Sequence, residues 1–146
     1  MSKLNHAYVK PFIISSLAAL AMMAVWFTLS ARLDAAIAWF GLVAAVDIAL
    51  LERWTRGAGK STALWIAPVM TLLCCLASLW LISALSVRYA GGFTLQDSAR
   101  QMGAGLFAQL IALRFAALDW LYIAAAPVLA FVLANAGAAN GRHQSP

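Results

Sequence analysis

Charge is the first thing this chain lacks. Only 10% of its 146 residues are Asp, Glu, Lys or Arg, against roughly 25% in soluble domains. A water-soluble domain of this length needs far more polar surface to cover one core, so that class is excluded. Histidine is nearly absent: His6 and His143 both lie in the polar tails. No apolar run therefore offers an imidazole to haem iron, and Ser, His and Asp never cluster as a nucleophilic site requires. No paired acidic motif faces one interface either. The two cysteines, Cys74 and Cys75, are adjacent. Vicinal cysteines strain disulfide geometry, and on a helix they point about 100° apart. Neither a bridge nor a soft-metal site with Met22, Met23 and Met70 is expected, and no cofactor of any kind.

What the chain has instead is long apolar runs. Hydrophobic residues make up 64% of it, and several runs reach the ~20 residues that cross a bilayer. The reading is an all-α integral membrane protein, a small bundle of four transmembrane helices. The spans are expected at 11–31, 35–52, 63–87 and 115–137, in a single domain over residues 1–137. Residues 138–146 form a polar C-terminal tail. The first run is too long for the ~7–15 apolar residues of a signal peptide, and no Ala-x-Ala site follows it, so it reads as a retained span. Asp34 is placed to cap the second span, and Ser61 or Thr62 the third.

The stretch from Met102 to Ala139 is the difficult one. It is on the order of 55 Å as helix, too long for one span and barely enough for two. No Gly, Pro or Asn lies between Leu106 and Ala126, so a tight hairpin has no turn signal there. An amphipathic segment at 97–113 before the last span is preferred, with Met102, Leu106, Leu110, Leu113 and Ala117 as its greasy stripe. Five spans is the alternative. Pro127 is expected to kink the final span, and Pro68 to free the carbonyl of Leu64 in the third.

The net charge of +5 does not point to nucleic acid, because the bases sit at the ends of apolar runs. Lys3, Lys10, Arg53, Arg56, Lys60 and Arg142 fall on one side. Arg32, Arg88 and Arg100 fall on the other. The positive-inside rule then puts the N-terminus in the cytoplasm, in a multi-pass protein of a bacterial inner (cytoplasmic) membrane. Tyr8, Trp54 and Trp65 read as an inner aromatic belt; Trp26, Trp39, Tyr89 and Trp120 read as an outer one.

One motif needs dismissing. "RWTRGAGKST" (53–62) ends like a phosphate-binding loop, but that pattern requires Gly at position 54, where the chain has Trp54. The bases instead hold a loop in the cytoplasm, the glycines allow its turn, and no nucleotide is expected.

The polar residues inside runs carry more information. Asp47 lies some six residues inside the second span, where a carboxylate costs roughly 2.5–3.5 kcal/mol on insertion scales and should face protein or water. Ser15 and Ser16 are at similar depth, with Thr71 one turn beyond the depth of Pro68, and these are its candidate partners in a buried polar knot. Arg114 and Asp119, five apart, point about 140° away from each other on one helix and read as membrane-interface charges. With five spans, Arg114 would fall at the depth of Asp47 and pair with it. "RLDAAIAWF" (32–40) and "ALDWLYIAA" (117–125) both open a span with Leu-Asp, as helix caps do. Gly41 with Ala45, and Ala104 with Ala108, are small-xxx-small pairs that favour close helix contact.

The absence of a soluble domain or catalytic constellation points to a non-enzymatic accessory, assembly or protective subunit. It would act through helix contacts with another membrane protein or with itself, in the lipid bilayer. The alternative is a small oligomeric proton- or cation-coupled transporter or channel using Asp47.

Overall fold

A computed structural model describes residues 2–33, 37–56 and 65–140, and every regular element among them is an α-helix. In chain order these are α1 (Ser2–Leu33), α2 (Phe40–Arg56), α3 (Ile66–Gly91), α4 (Leu95–Gln101), α5 (Ala104–Arg114) and α6 (Ala117–Asn140). Ala, Leu and Met, the strong helix formers, dominate the long ones. Three helices are long and apolar enough to cross a membrane: Val9–Leu33 of α1, all of α3, and Ala117–Ala136 of α6. The fourth main helix, α2, has 17 residues, or about 25 Å, and carries Asp47, Glu52 and Arg53.

These four pack as a bundle. α2 lies against α1, α3 and α6, and α3 lies against α1 and α6. They converge at Gly41. A Cβ built there would come within 3.3 Å of the Cys75 Sγ, 3.5 Å of the Trp26 ring and 3.7 Å of the Ala126 Cβ, so one residue from each helix meets at that point. The interior below it is made of small side chains, among them Ala44, Ala45, Ala49, Ala67, Ala126, Ala130 and Ala134, all buried. Such residues let helix backbones approach closely where no water drives association. Gly41 and Ala45 act as the close-packing pair that their spacing suggests. Ala104 and Ala108, by contrast, are both exposed.

Trp26 departs from its expected place in an aromatic belt. It is fully buried, with its ring 5.8 Å from that of Phe40, because the space beside Gly41 admits a large aromatic. Pro68 departs as well. α3 begins at Ile66, after Trp65, which puts Pro68 in the first turn. The first four amides of a helix have no carbonyl partner, so the ring displaces no bond. Leu64, whose carbonyl it was expected to free, lies outside the described residues, as do Asp34, Ser61 and Thr62. Pro127 does sit within a continuous helix.

The expected amphipathic segment 97–113 is broken in two. α3 stops at Gly92, whose left-handed conformation (φ 69°) would strain any other residue, and the Gly92 amide donates to the Arg88 carbonyl at 2.9 Å. Thr94 then caps α4. Its Oγ accepts from the Asp97 amide at 3.2 Å and donates to the Asp97 carboxylate at 2.6 Å. Met102 is extended and ends α4, and α5 starts after Gly103. The break shifts the helical phase, so the predicted stripe does not form one face. Met102 is buried, while Leu106 and Leu113 are exposed, Leu113 by 86%. α5 instead touches the bundle through Ile111 and Phe107.

α5 runs in the same sense as α3. The Phe107 ring packs 4.9 Å from Trp80, and Arg114 donates to the Ser86 hydroxyl further along. Its N-terminal end is thus nearer the middle of the bundle. Asp119 closes the following turn. Its carboxylate accepts from the Ala116 amide at 2.8 Å, the return half of a capping box that starts α6.

Candidate functional site

The polar groups inside the bundle are best traced from α2. Gly41, Ala44, Ala45, Ile48 and Ala49 are buried, while Val43, Val46 and Leu50 are exposed. At 100° per residue, position 52 falls in the centre of the buried face, on the row of 41, 45 and 48. Glu52 is accordingly fully buried, and its carbonyl accepts from the Thr55 hydroxyl at 2.9 Å. Asp47 falls about 140° from Glu52, at the margin between the buried and exposed faces, and is half-buried. The acidic side chain at the centre of the buried face is therefore Glu52, the last residue of the second span expected from sequence. Its signal was present: the spacing 41, 45, 48, 52 continues the buried row past Leu51.

The expected partners of Asp47 are spread over two helices. Ser15 and Thr71 are fully buried, and neither hydroxyl has a hydrogen-bond partner. Ser16 is half-buried; its hydroxyl donates to the Phe12 carbonyl at 2.8 Å and approaches the Met70 Sδ at 3.8 Å. No hydrogen bond among the described residues joins any of the three to Asp47. On α3 the Cys74 thiol donates to the Ala19 carbonyl at 3.4 Å, which ties α1 to α3 one turn beyond the Ser16–Met70 contact. Both cysteines are buried and unbridged. Among the described residues no three His, Cys, Asp or Glu side chains gather in a way that would hold a metal ion.

Arg114 and Asp119 serve separate ends of one turn. Arg114 ends α5 and holds the Ser86 hydroxyl of α3; Asp119 caps α6. Arg114 and Ser86 lie in the wall of a cavity of about 630 Å³, together with Ser30 of α1 and Ile82, Leu85 and Tyr89 of α3. Ser30 is buried, and its hydroxyl has no partner. The phosphate-loop lookalike is only half described: Arg53 to Arg56 are the helical end of α2, and residues 57–62 lie outside the described residues.

The fold and these polar groups define a class no narrower than a helical protein with three membrane-compatible spans. No family model, curated protein or solved structure matches the chain.

Proposed function

We propose that the chain is a four-span protein of a bacterial inner membrane, with both ends in the cytoplasm. In this reading it is a non-enzymatic accessory or assembly subunit that binds another membrane protein through its helices. The packing of α2 among α1, α3 and α6 supports counting it as a span. The sequence puts Lys3, Lys10, Arg53, Arg56, Lys60 and Arg142 on one side against Arg32, Arg88, Arg100 and Arg114 on the other, which supports the orientation.

One observation carries the accessory role: the break at Met102–Gly103. Trp80, which Phe107 touches, lies eleven residues before the end of α3, or about 16 Å. That is well inside a hydrocarbon layer of ~30 Å. The start of α5 lies deeper still. Gly103 offers no side-chain cap, and both Gly103 and Gly105 are exposed with nothing within 4 Å of a would-be Cβ. Uncapped backbone amides facing lipid cost several kcal/mol each, so such a break persists where protein or water covers it. The exposed charges of α4, Asp97 and Arg100, need the same cover. A neighbouring membrane protein seated on α4 and α5 supplies it.

The test is position-specific. A photo-crosslinker at Gly105 or Leu113 is expected to capture one unrelated membrane protein, which co-purifies in mild detergent at fixed stoichiometry. A crosslinker at Leu17, exposed on α1, is expected not to. Capture of the chain's own copies alone, or equal capture from all three positions, overturns the reading.

A second reading, a proton- or cation-coupled oligomer, is favoured by the complete burial of Glu52. Buried carboxylates at membrane depth mark many ion pathways. Under it, Glu52→Gln abolishes a pH-dependent flux in proteoliposomes while the protein stays folded, and Asp47→Asn does the same if Asp47 is the coupling acid.

A further inference from the structure

We propose that the cavity at the Arg88 end of the bundle holds the ester region of a membrane glycerolipid, with the buried Ser30 hydroxyl donating to an ester carbonyl. The inference needs only that α3 crosses a bilayer. It does not depend on the accessory role or on what covers α4 and α5.

Two helices build the recognising wall. α1 contributes Ser30, and α3 contributes Ile82, Leu85, Ser86 and Tyr89, around about 630 Å³, a usual volume for a small-molecule site. Ile82 and Leu85 are buried and make an apolar floor on which a chain can lie.

Ser30 breaks a habit of this bundle. A helical Ser or Thr can satisfy its hydroxyl on the carbonyl one turn back. Ser16 does so on Phe12 at 2.8 Å, Thr28 on Ala24 at 2.7 Å, and Ser86 on Ile82 at 3.1 Å. Ser30 does not. It is 3% exposed, and its hydroxyl has no hydrogen-bond partner. A buried hydroxyl left unsatisfied is costly, and this one lines a cavity.

The other groups of the wall narrow the ligand. The Ser86 hydroxyl spends its proton on Ile82 and accepts from Arg114. Arg114 is engaged there and in a further interaction, so it closes the wall and is not counted as a donor to the ligand. No carboxylate among the described residues lines the cavity. One neutral donor over an apolar floor suits a neutral carbonyl carried on an apolar chain. The level agrees. Ser86 lies five residues, about 7 Å, from the end of α3. In a helix that spans, headgroups give way to hydrocarbon there, and lipid ester linkages lie at that boundary.

The test uses the whole chain, delipidated in neutral detergent, and two short-chain phosphatidylcholines that differ only in linkage: the diester and the diether, which lacks both carbonyls. Native mass spectrometry reads binding, and the unfolding midpoint reads folding. The diester is expected to bind saturably at 1:1, and the diether about three- to tenfold more weakly, as loss of one neutral hydrogen bond does. Ser30→Ala is expected to close that gap by weakening the diester alone. Its lipid-free midpoint is expected to stay at or above the wild-type value, because the hydroxyl it removes has no partner in the protein. Thr28→Ala, which removes an engaged hydroxyl on another face of α1, is expected to keep the gap. The diester phosphatidylglycerol is expected to bind about as well as the choline lipid. No binding by the wild-type chain, or equal binding of diester and diether, as water on Ser30 would give, overturns the proposal. So does a gap that survives Ser30→Ala, a lowered lipid-free midpoint in that variant, or a marked preference for the anionic headgroup.

Discussion

Two acids five residues apart illustrate what the bundle demands of single residues. Glu52 sits in the middle of the buried face of α2 and Asp47 at its margin. Removing a buried polar group strands its surroundings, typically at a cost of about 1–3 kcal/mol, whereas a marginal one changes little. Glu52→Ala is therefore expected to lower the unfolding midpoint in mild detergent clearly more than Asp47→Asn does. An equal or reversed order would show that Asp47, not Glu52, is the anchored acid. Depth along a span was legible in the sequence for both residues. Facing was legible only through the row 41, 45, 48, 52, a faint signal because a one-residue error in helical phase turns a side chain by 100°. Trp26 makes the same point: its distance from the end of α1 fits an interfacial belt, yet the neighbouring Gly41 opens a place for it in the core.

Among elements, the apolar helices were readable because a run of twenty hydrophobic residues has few other uses. Their boundaries moved: α2 starts at Phe40 and not at 35, and α1 is helical from Ser2 and not from 11. The segment before the last span was legible in place but not in form. Its break rests on Met102-Gly103, a weak turn signal, and α4 starts after Thr94, ahead of the expected 97; of the caps that frame the segment, Asp119 was the one the sequence pointed to, in its Leu-Asp pair. The glycines of these elements differ in role. Gly41 is crowded, with three helices within 3.7 Å of a Cβ, and Gly105 is open. Gly41→Leu is expected to destabilise the bundle by about 1–3 kcal/mol through overpacking. Gly105→Ala should stabilise α5 by up to about 1 kcal/mol through helix propensity. Thermal denaturation of the two variants side by side checks this. Destabilisation by Gly105→Ala would instead show that other parts of the chain approach that surface closely.

For the molecule as a whole, the number of crossings sets where its two ends lie. Four spans return the C-terminus to the side of the N-terminus; five separate them. Reporter fusions at both ends are expected to report the same, cytoplasmic, compartment, and opposite reports would restore the five-span arrangement. The wider fold was inferable only as far as helices in a membrane, since lipid removes the polar–apolar alternation that marks inward and outward faces in water. The pairing of helices had no sequence signature at all. α2 makes its most extensive contact with α6, more than sixty residues downstream. That pairing also imposes an order in time. α2 is made with an acid on its inner face long before the helix that covers it. Until the last span emerges the bundle has an open side, and a chain halted before Ala117 is expected to be a target for membrane quality control and not a smaller working version of the protein.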